Sequence, residues 1–113
     1  MAKFTSIHRY ARISPRKARL VTELIAGRHV DEALDLLKFT KKRASTLVDK
    51  VLRAAMADAD EQEANVRRLF VREARVDCGP IIKRFQPKDR GRAHPIAKRT
   101  SHIVVTVAEG PRG

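Results

Sequence analysis

The sequence predicts an α+β domain, and three observations predict it. Three stretches carry apolar residues at helical spacing, and three others are strand-like, most of them rich in β-branched residues. A basic segment, residues 80–100, separates the last two strands and contains three prolines. At 113 residues the chain has room for one domain spanning 1–113. Its 42% hydrophobic share is ordinary for a globular core.

The first strand is read over residues 4–13. Ile7, Ala11 and Ile13 share one parity, while His8, Tyr10 and Arg12 form a basic, aromatic outer face. Ser14-Pro15 supplies a helix cap followed by a first helical residue. Ala18, Val21, Leu24 and Ile25 are the buried stripe of that helix, and Gly27 suits the position that ends it. A short second helix is expected over 31–38, with Asp31, Glu32 and Asp35 where the helix dipole favours acids. Thr40 is expected to cap a third helix over about residues 41–62, striped by Ala44, Leu47, Val48, Val51, Leu52 and Ala55. Residues 69–77 and 103–107 read as strands, with Ile103, Val105 and Val107 pointing inward.

Segment 80–100 holds Pro80, Pro87, Pro95 and Gly91, and only Ile81, Ile82, Phe85 and Ile96 as large apolar residues. That is too few to form a core, and the segment is longer than most loops in compact domains. Two readings stay open: a flexible basic loop, or a projecting hairpin whose arms reach about 30 Å. A projection of that length needs an external scaffold to order it.

The formal net charge is +12 and the pI about 10.9. Residues 1–29 hold seven Lys/Arg and one acid, as do residues 80–100, whereas residues 30–79 hold ten of each sign. The excess therefore belongs to two segments and calls for a polyanion, either nucleic acid or an anionic surface. No apolar run approaches the roughly 18 residues of a membrane span, and no export signal opens the chain. A single cysteine, Cys78, makes no internal disulfide, fits a reducing cytosol, and reads as a small packed residue.

Catalysis finds little support. His8, His29, His94 and His102 have no metal-ligand spacing with each other or with Cys78, so no metal and no cofactor is expected. They read as surface or nucleic-acid-contacting side chains. There is no phosphate-cradling glycine loop and no nucleophile elbow. Asp58, Asp60, Glu61 and Glu63 form a solvated acidic face.

The start of the first helix says more. Arg16 and Lys17 fall in its first turn and Arg19 just beyond, where cations oppose the helix dipole by roughly 0.3–1 kcal/mol each. An anion at the helix start removes that conflict, and phosphate is the natural one. In segment 80–100 the pairs Lys83-Arg84, Arg90-Gly91-Arg92 and Lys98-Arg99, with Lys88, are spaced to track a phosphate backbone. The alternative is a nucleic-acid-binding regulator that uses the helix pair 14–38. Its would-be recognition helix opens on acids that phosphate would repel.

The run Ala11-Arg12-Ile13-Ser14-Pro15-Arg16-Lys17-Ala18-Arg19-Leu20-Val21 resembles the opening block of the bacterial large-subunit ribosomal protein L-twenty-two family. Gly79-Pro80, Lys83-Arg84, Pro87, Gly91-Arg92-Ala93, Ile96 and Lys98-Arg99-Thr100-Ser101-His102-Ile103 resemble its signature block. The likeness runs from about Thr5 to Val107.

The resemblance implies three helices packed on a three-stranded antiparallel sheet, with 80–100 a long protruding β-hairpin. It implies a structural constituent of the large ribosomal subunit, cytoplasmic within the ribosome, that binds large-subunit (23S-type) rRNA and aids its assembly. The other partners it implies are neighbouring large-subunit ribosomal proteins and the nascent polypeptide in the exit tunnel, with no membrane and no small-molecule substrate. The rRNA-facing set is Arg9, Arg12, Ser14, Arg16, Lys17, Arg19, Lys83, Arg84, Lys88, Arg90, Arg92, Lys98, Arg99, Thr100 and His102. The tunnel-wall tip is Lys88, Asp89, Arg90, Gly91 and Arg92. Two departures stand out: Lys88-Asp89 replaces a usual Arg-Ala, placing a negative charge near the tip, and His94-Pro95 replaces an acidic-plus-variable pair. Pro95 is expected to interrupt pairing on the returning arm.

Overall fold

A computed structural model describes residues 2–88 and 92–110, with 82–88 and 92–97 described by their backbone alone. The elements run β1 (Lys3–Ala11), α1 (Pro15–Ile25), α2 (Val30–Phe39), α3 (Arg43–Glu61), a 3₁₀ turn (Val66–Arg68), β2 (Leu69–Cys78), β3 (Ile82–Lys88), β4 (Arg92–Lys98) and β5 (Ser101–Glu109). β1, β5 and β2 form an antiparallel sheet in that order, with β5 central. β3 and β4 pair separately, as the two arms of a hairpin leaving the sheet between β2 and β5.

The helices cover one face of the sheet. Ala18, Val21 and Ile25 of α1 and Val48, Val51, Leu52, Ala55 and Ala59 of α3 are buried with Phe4, Leu69, Val71, Ile103, Val105 and Val107. Small residues at Ala18, Ala44, Ala55 and Ala59 let helix backbones approach the layer beneath. α2 adds Val30, Ala33 and Leu37 to the same core. No residue between 80 and 100 whose side chain is described belongs to that cluster.

Ser14 caps α1 as read: its Oγ accepts from the Lys17 N–H at 3.3 Å, and Pro15 follows as the first helical residue. After α1, Gly27 takes φ +80°, a conformation that favours glycine, and its N–H donates to the Val71 carbonyl at 2.8 Å. Val71 N–H returns a bond to Arg28 at 2.8 Å, so the α1–α2 turn is stitched to β2.

Several expectations are corrected. Thr40 closes α2 rather than opening α3: its Oγ1 donates to the Leu36 carbonyl at 2.6 Å, while Lys42 precedes α3 without a side-chain cap. On α1, Leu24 is exposed and Thr22 takes the buried position. Ile7 is 43% exposed, because it lies opposite Val104 on the face no helix covers, whereas Phe4 lies inward beside Val107. The pairing register then shifts between His8 and Ala11, which returns Ala11 to the inner face. Cys78 is exposed at the end of β2, not packed.

Pairing in the hairpin also runs without a break through Pro95, opposite Phe85. Each strand of a two-stranded ribbon has an open edge toward which alternate N–H groups point. A proline there removes no ladder bond, and Pro87 and Pro95 occupy pairs of the same class.

Candidate nucleic-acid interface

Two side-chain and main-chain ties bring the basic segments together. Ser101, fully buried at the start of β5, donates its hydroxyl to the Ile13 carbonyl at 2.6 Å. Gly79 N–H donates to the Thr100 carbonyl at 3.0 Å and closes the neck of the hairpin. The linker leading into α1 therefore lies against the base of the returning arm.

Around this junction lies a cleft of about 650 Å³ lined by Arg12, Ile13, Ser14, Lys17, Arg43, Lys98 and Arg99. Among the described residues that line it there are five cations and no acid. Two come from the first basic segment and two from the second, so the charges separated in sequence form one surface at the hairpin base. Arg43 is the first residue of α3 and comes from the electrically balanced middle of the chain. Sequence spacing carries no sign of it. The one signal is the cation run Lys41-Lys42-Arg43 at an uncapped helix start, the same conflict with the dipole that marks α1.

The remaining expected residues are distributed as follows. Arg16 is exposed but outside the cleft. Arg19 turns back to the sheet, donating to the Val76 carbonyl from Nε at 3.3 Å and from Nη2 at 3.0 Å, with Cys78 Sγ near the same nitrogen. Arg9 lines a second hollow with His8, Lys50 and Ala54. Thr100 is 2% exposed and donates its hydroxyl to the Pro80 carbonyl at 2.6 Å, so it fastens the hairpin neck and presents nothing to a ligand. Lys83, Arg84, Lys88 and Arg92 lie on the paired arms. Asp89, Arg90 and Gly91 of the tip lie outside the described residues.

Two histidines are used locally. His29 caps α2, with Nδ1 accepting from Asp31 N–H at 3.1 Å and Nε2 donating to the Arg67 carbonyl at 2.7 Å. His102 Nδ1 accepts the Tyr10 N–H at 3.1 Å. Among the described residues no group of three or more His, Cys, Asp or Glu could hold a metal ion. No helix among them is long and apolar enough to cross a membrane.

Acids are kept elsewhere. The hollow between α2 and α3 is lined by Asp31, Asp35 and Asp49, with Arg53 paired to Asp49 at 3.0 Å. On the uncovered sheet face Arg75 bridges Glu73 at 2.6 Å and Asp77 at 3.4 Å. Those hydrogen bonds, Glu73 first, raise the Arg75 pKa above its ordinary value. α2 opens on Asp31 and Glu32, with Glu32 held by Arg28, which leaves the helix-pair alternative an acidic leading turn.

Residues 6–108 match the family model described as ribosomal protein L22p/L17e. The chain is 53% identical over 105 residues to a protein of Thermoanaerobacter sp. (strain X514) named large ribosomal subunit protein uL22, covering 92% of this chain and 95% of the relative. A protein of the same name from Lactobacillus delbrueckii subsp. bulgaricus (strain ATCC BAA-365 / Lb-18) is 54% identical over 102 residues, covering 89% and 87%.

Proposed function

The chain belongs to the ribosomal protein L22p/L17e family, a structural and non-enzymatic component of the large ribosomal subunit, and from that premise we propose how it works there. Its body docks on large-subunit rRNA through the cleft at the hairpin base, and its arm threads between rRNA helices and ties them together during assembly. The observation that carries this reading is the convergence of Arg12, Lys17, Arg43, Lys98 and Arg99 without an acid among them. Five cations held that close repel one another in isolation, and phosphate oxygens relieve the repulsion. The first turn of α1 adds the positive end of its dipole beside Lys17.

The hairpin serves the same end differently. Seven-residue arms, fully paired, carry Lys83, Arg84, Lys88 and Arg92 away from the body along a molecule 64 Å in its longest extent. Such an arm reaches phosphates of rRNA helices that the body does not touch. Its tip, Lys88 to Arg92, faces the nascent polypeptide in the exit tunnel, and the acidic surfaces of the body are left to neighbouring ribosomal proteins.

Binding to large-subunit rRNA across a salt series tests the reading. With on the order of eight phosphates neutralised, log K against log[salt] falls with a slope of about −6 to −7. A flat response sinks the electrostatic account.

A further inference from the structure

Resting on the RNA-binding reading above, we propose that Tyr10 is a stacking platform for an unpaired RNA base, set outward by a bulge in β1. The pairing of β1 with β5 places Phe4, Ser6 and His8 on the inner face, opposite Val107, Val105 and Ile103. Continued in register, residue 10 would stand inward opposite Ser101, which is fully buried and leaves no room for a phenol ring. The register instead shifts between His8 and Ala11, and Ala11 takes the place opposite Ser101.

Tyr10 is left 61% exposed with φ +57°. A bulky side chain rarely adopts that backbone conformation, and such strain persists only where the surroundings enforce it. His102 enforces it. Its Nδ1 accepts the Tyr10 N–H at 3.1 Å, and its ring meets the tyrosine edge-on, with centroids 4.9 Å apart and planes at 85°. Burying an aromatic ring normally stabilises a small core, yet here alanine goes in and tyrosine is held out.

The surroundings indicate what the ring meets. Exposed Arg9 and Arg12 flank it in sequence, and Arg12 also lines the basic cleft. Asp77, opposite His102 on β2, is occupied by Arg75. An exposed aromatic face beside cations is the composition that recognises unpaired nucleotides: the ring stacks on a base while the cations take the adjoining phosphates. Phosphate binding alone has no use for the ring.

The chain has one tyrosine and no tryptophan, so 3-fluorotyrosine incorporated biosynthetically gives a single fluorine NMR line reporting on position 10. The full chain is titrated with oligoadenylate RNA and with an abasic ribose-phosphate oligomer of equal length. Oligoadenylate is expected to move the line by ring current, and the abasic oligomer to leave it nearly in place. Tyr10→Phe should keep oligoadenylate affinity, whereas Tyr10→Leu should lose about tenfold. Tyr10→Gly suits the positive φ, so it should keep the fold and lose affinity to the same degree.

Equal line shifts with both oligomers, or unchanged affinity in the Leu and Gly variants, overturn the platform even if wild type binds large-subunit rRNA with the expected salt slope. A line that responds only to other large-subunit proteins overturns it in favour of a protein partner. Wild type that binds no rRNA takes down both this proposal and the reading beneath it.

Discussion

A Cβ added to Gly79 would overlap the Thr100 hydroxyl and stand 3.2 Å from the Thr100 carbonyl group, so any larger residue there forces the hairpin neck to shift. The same pair shares the N–H to carbonyl bond at 3.0 Å, and the Thr100 hydroxyl is committed to Pro80. Gly79→Ala should therefore destabilise the chain by about 1–3 kcal/mol, the usual range for overpacking, as read by denaturant unfolding. Thr100→Ala removes the closest obstacle, so the double variant should cost less than the sum of the singles. Strict additivity would place the strain elsewhere.

Arg43 and Arg53 lie on the same helix and differ in their company. Arg43 lines the cleft, whereas Arg53 is paired with Asp49 one turn back. Arg43→Ala should weaken rRNA binding and flatten the log K against log[salt] slope by about 0.7–0.9 for each phosphate no longer neutralised. Arg53→Ala should leave binding nearly unchanged. Both residues are exposed, so unfolding midpoints of the two variants should stay close to wild type. Equal weakening by the two substitutions would mean that net charge, not the cleft, governs affinity.

What was legible in the sequence was whatever depends on neighbours in the chain. Ser14-Pro15 begins α1 because cap and first residue are adjacent, and the stripe of α3 and the alternation Ile103, Val105, Val107 follow from local periods. What escaped depends on partners far along the chain. The bulge at Tyr10 rests on His102, 92 residues away, and Arg43 joins the cleft only through tertiary packing. Thr40 stands between two helices, and composition does not say which one its hydroxyl serves. The charge partition located both basic segments; that they meet at one junction depends on the Ser101–Ile13 bond.

Arg19 separates a structural arginine from a binding one. Its guanidinium makes two bonds to the Val76 carbonyl and so fixes α1 to β2. Arg19→Ala should cost roughly 0.5–1.5 kcal/mol of stability, and Arg16→Ala, at an exposed site without such bonds, within about 0.5 kcal/mol. Arg19→Lys keeps the charge but not the fork, and should recover little. Thermal unfolding of the three variants decides it, and equal midpoints would return Arg19 to the ligand-facing set.

Shortening the hairpin yields the most demanding test of the functional reading. The core lies in α1, α2, α3 and the three-stranded sheet, and β5 is held from Ser101 onward by both neighbouring strands. Replacing residues 83–97 by a two-residue Asn-Gly turn, flanked by the native pair Ile82 and Lys98, closes the ribbon just above its neck with a turn type suited to antiparallel strands. The shortened chain should fold, with its unfolding midpoint within a few degrees of wild type. It keeps Arg12, Lys17, Arg43, Lys98 and Arg99, so it should still bind large-subunit rRNA, but with a smaller salt slope because Lys83, Arg84, Lys88, Arg90 and Arg92 are gone. Incorporation into large subunits, followed by sedimentation at moderate salt, should fall further than affinity does, since bridging rRNA helices needs reach as well as charge. A shortened chain that assembles as well as wild type would show that the arm is dispensable for docking and overturn its proposed bridging role.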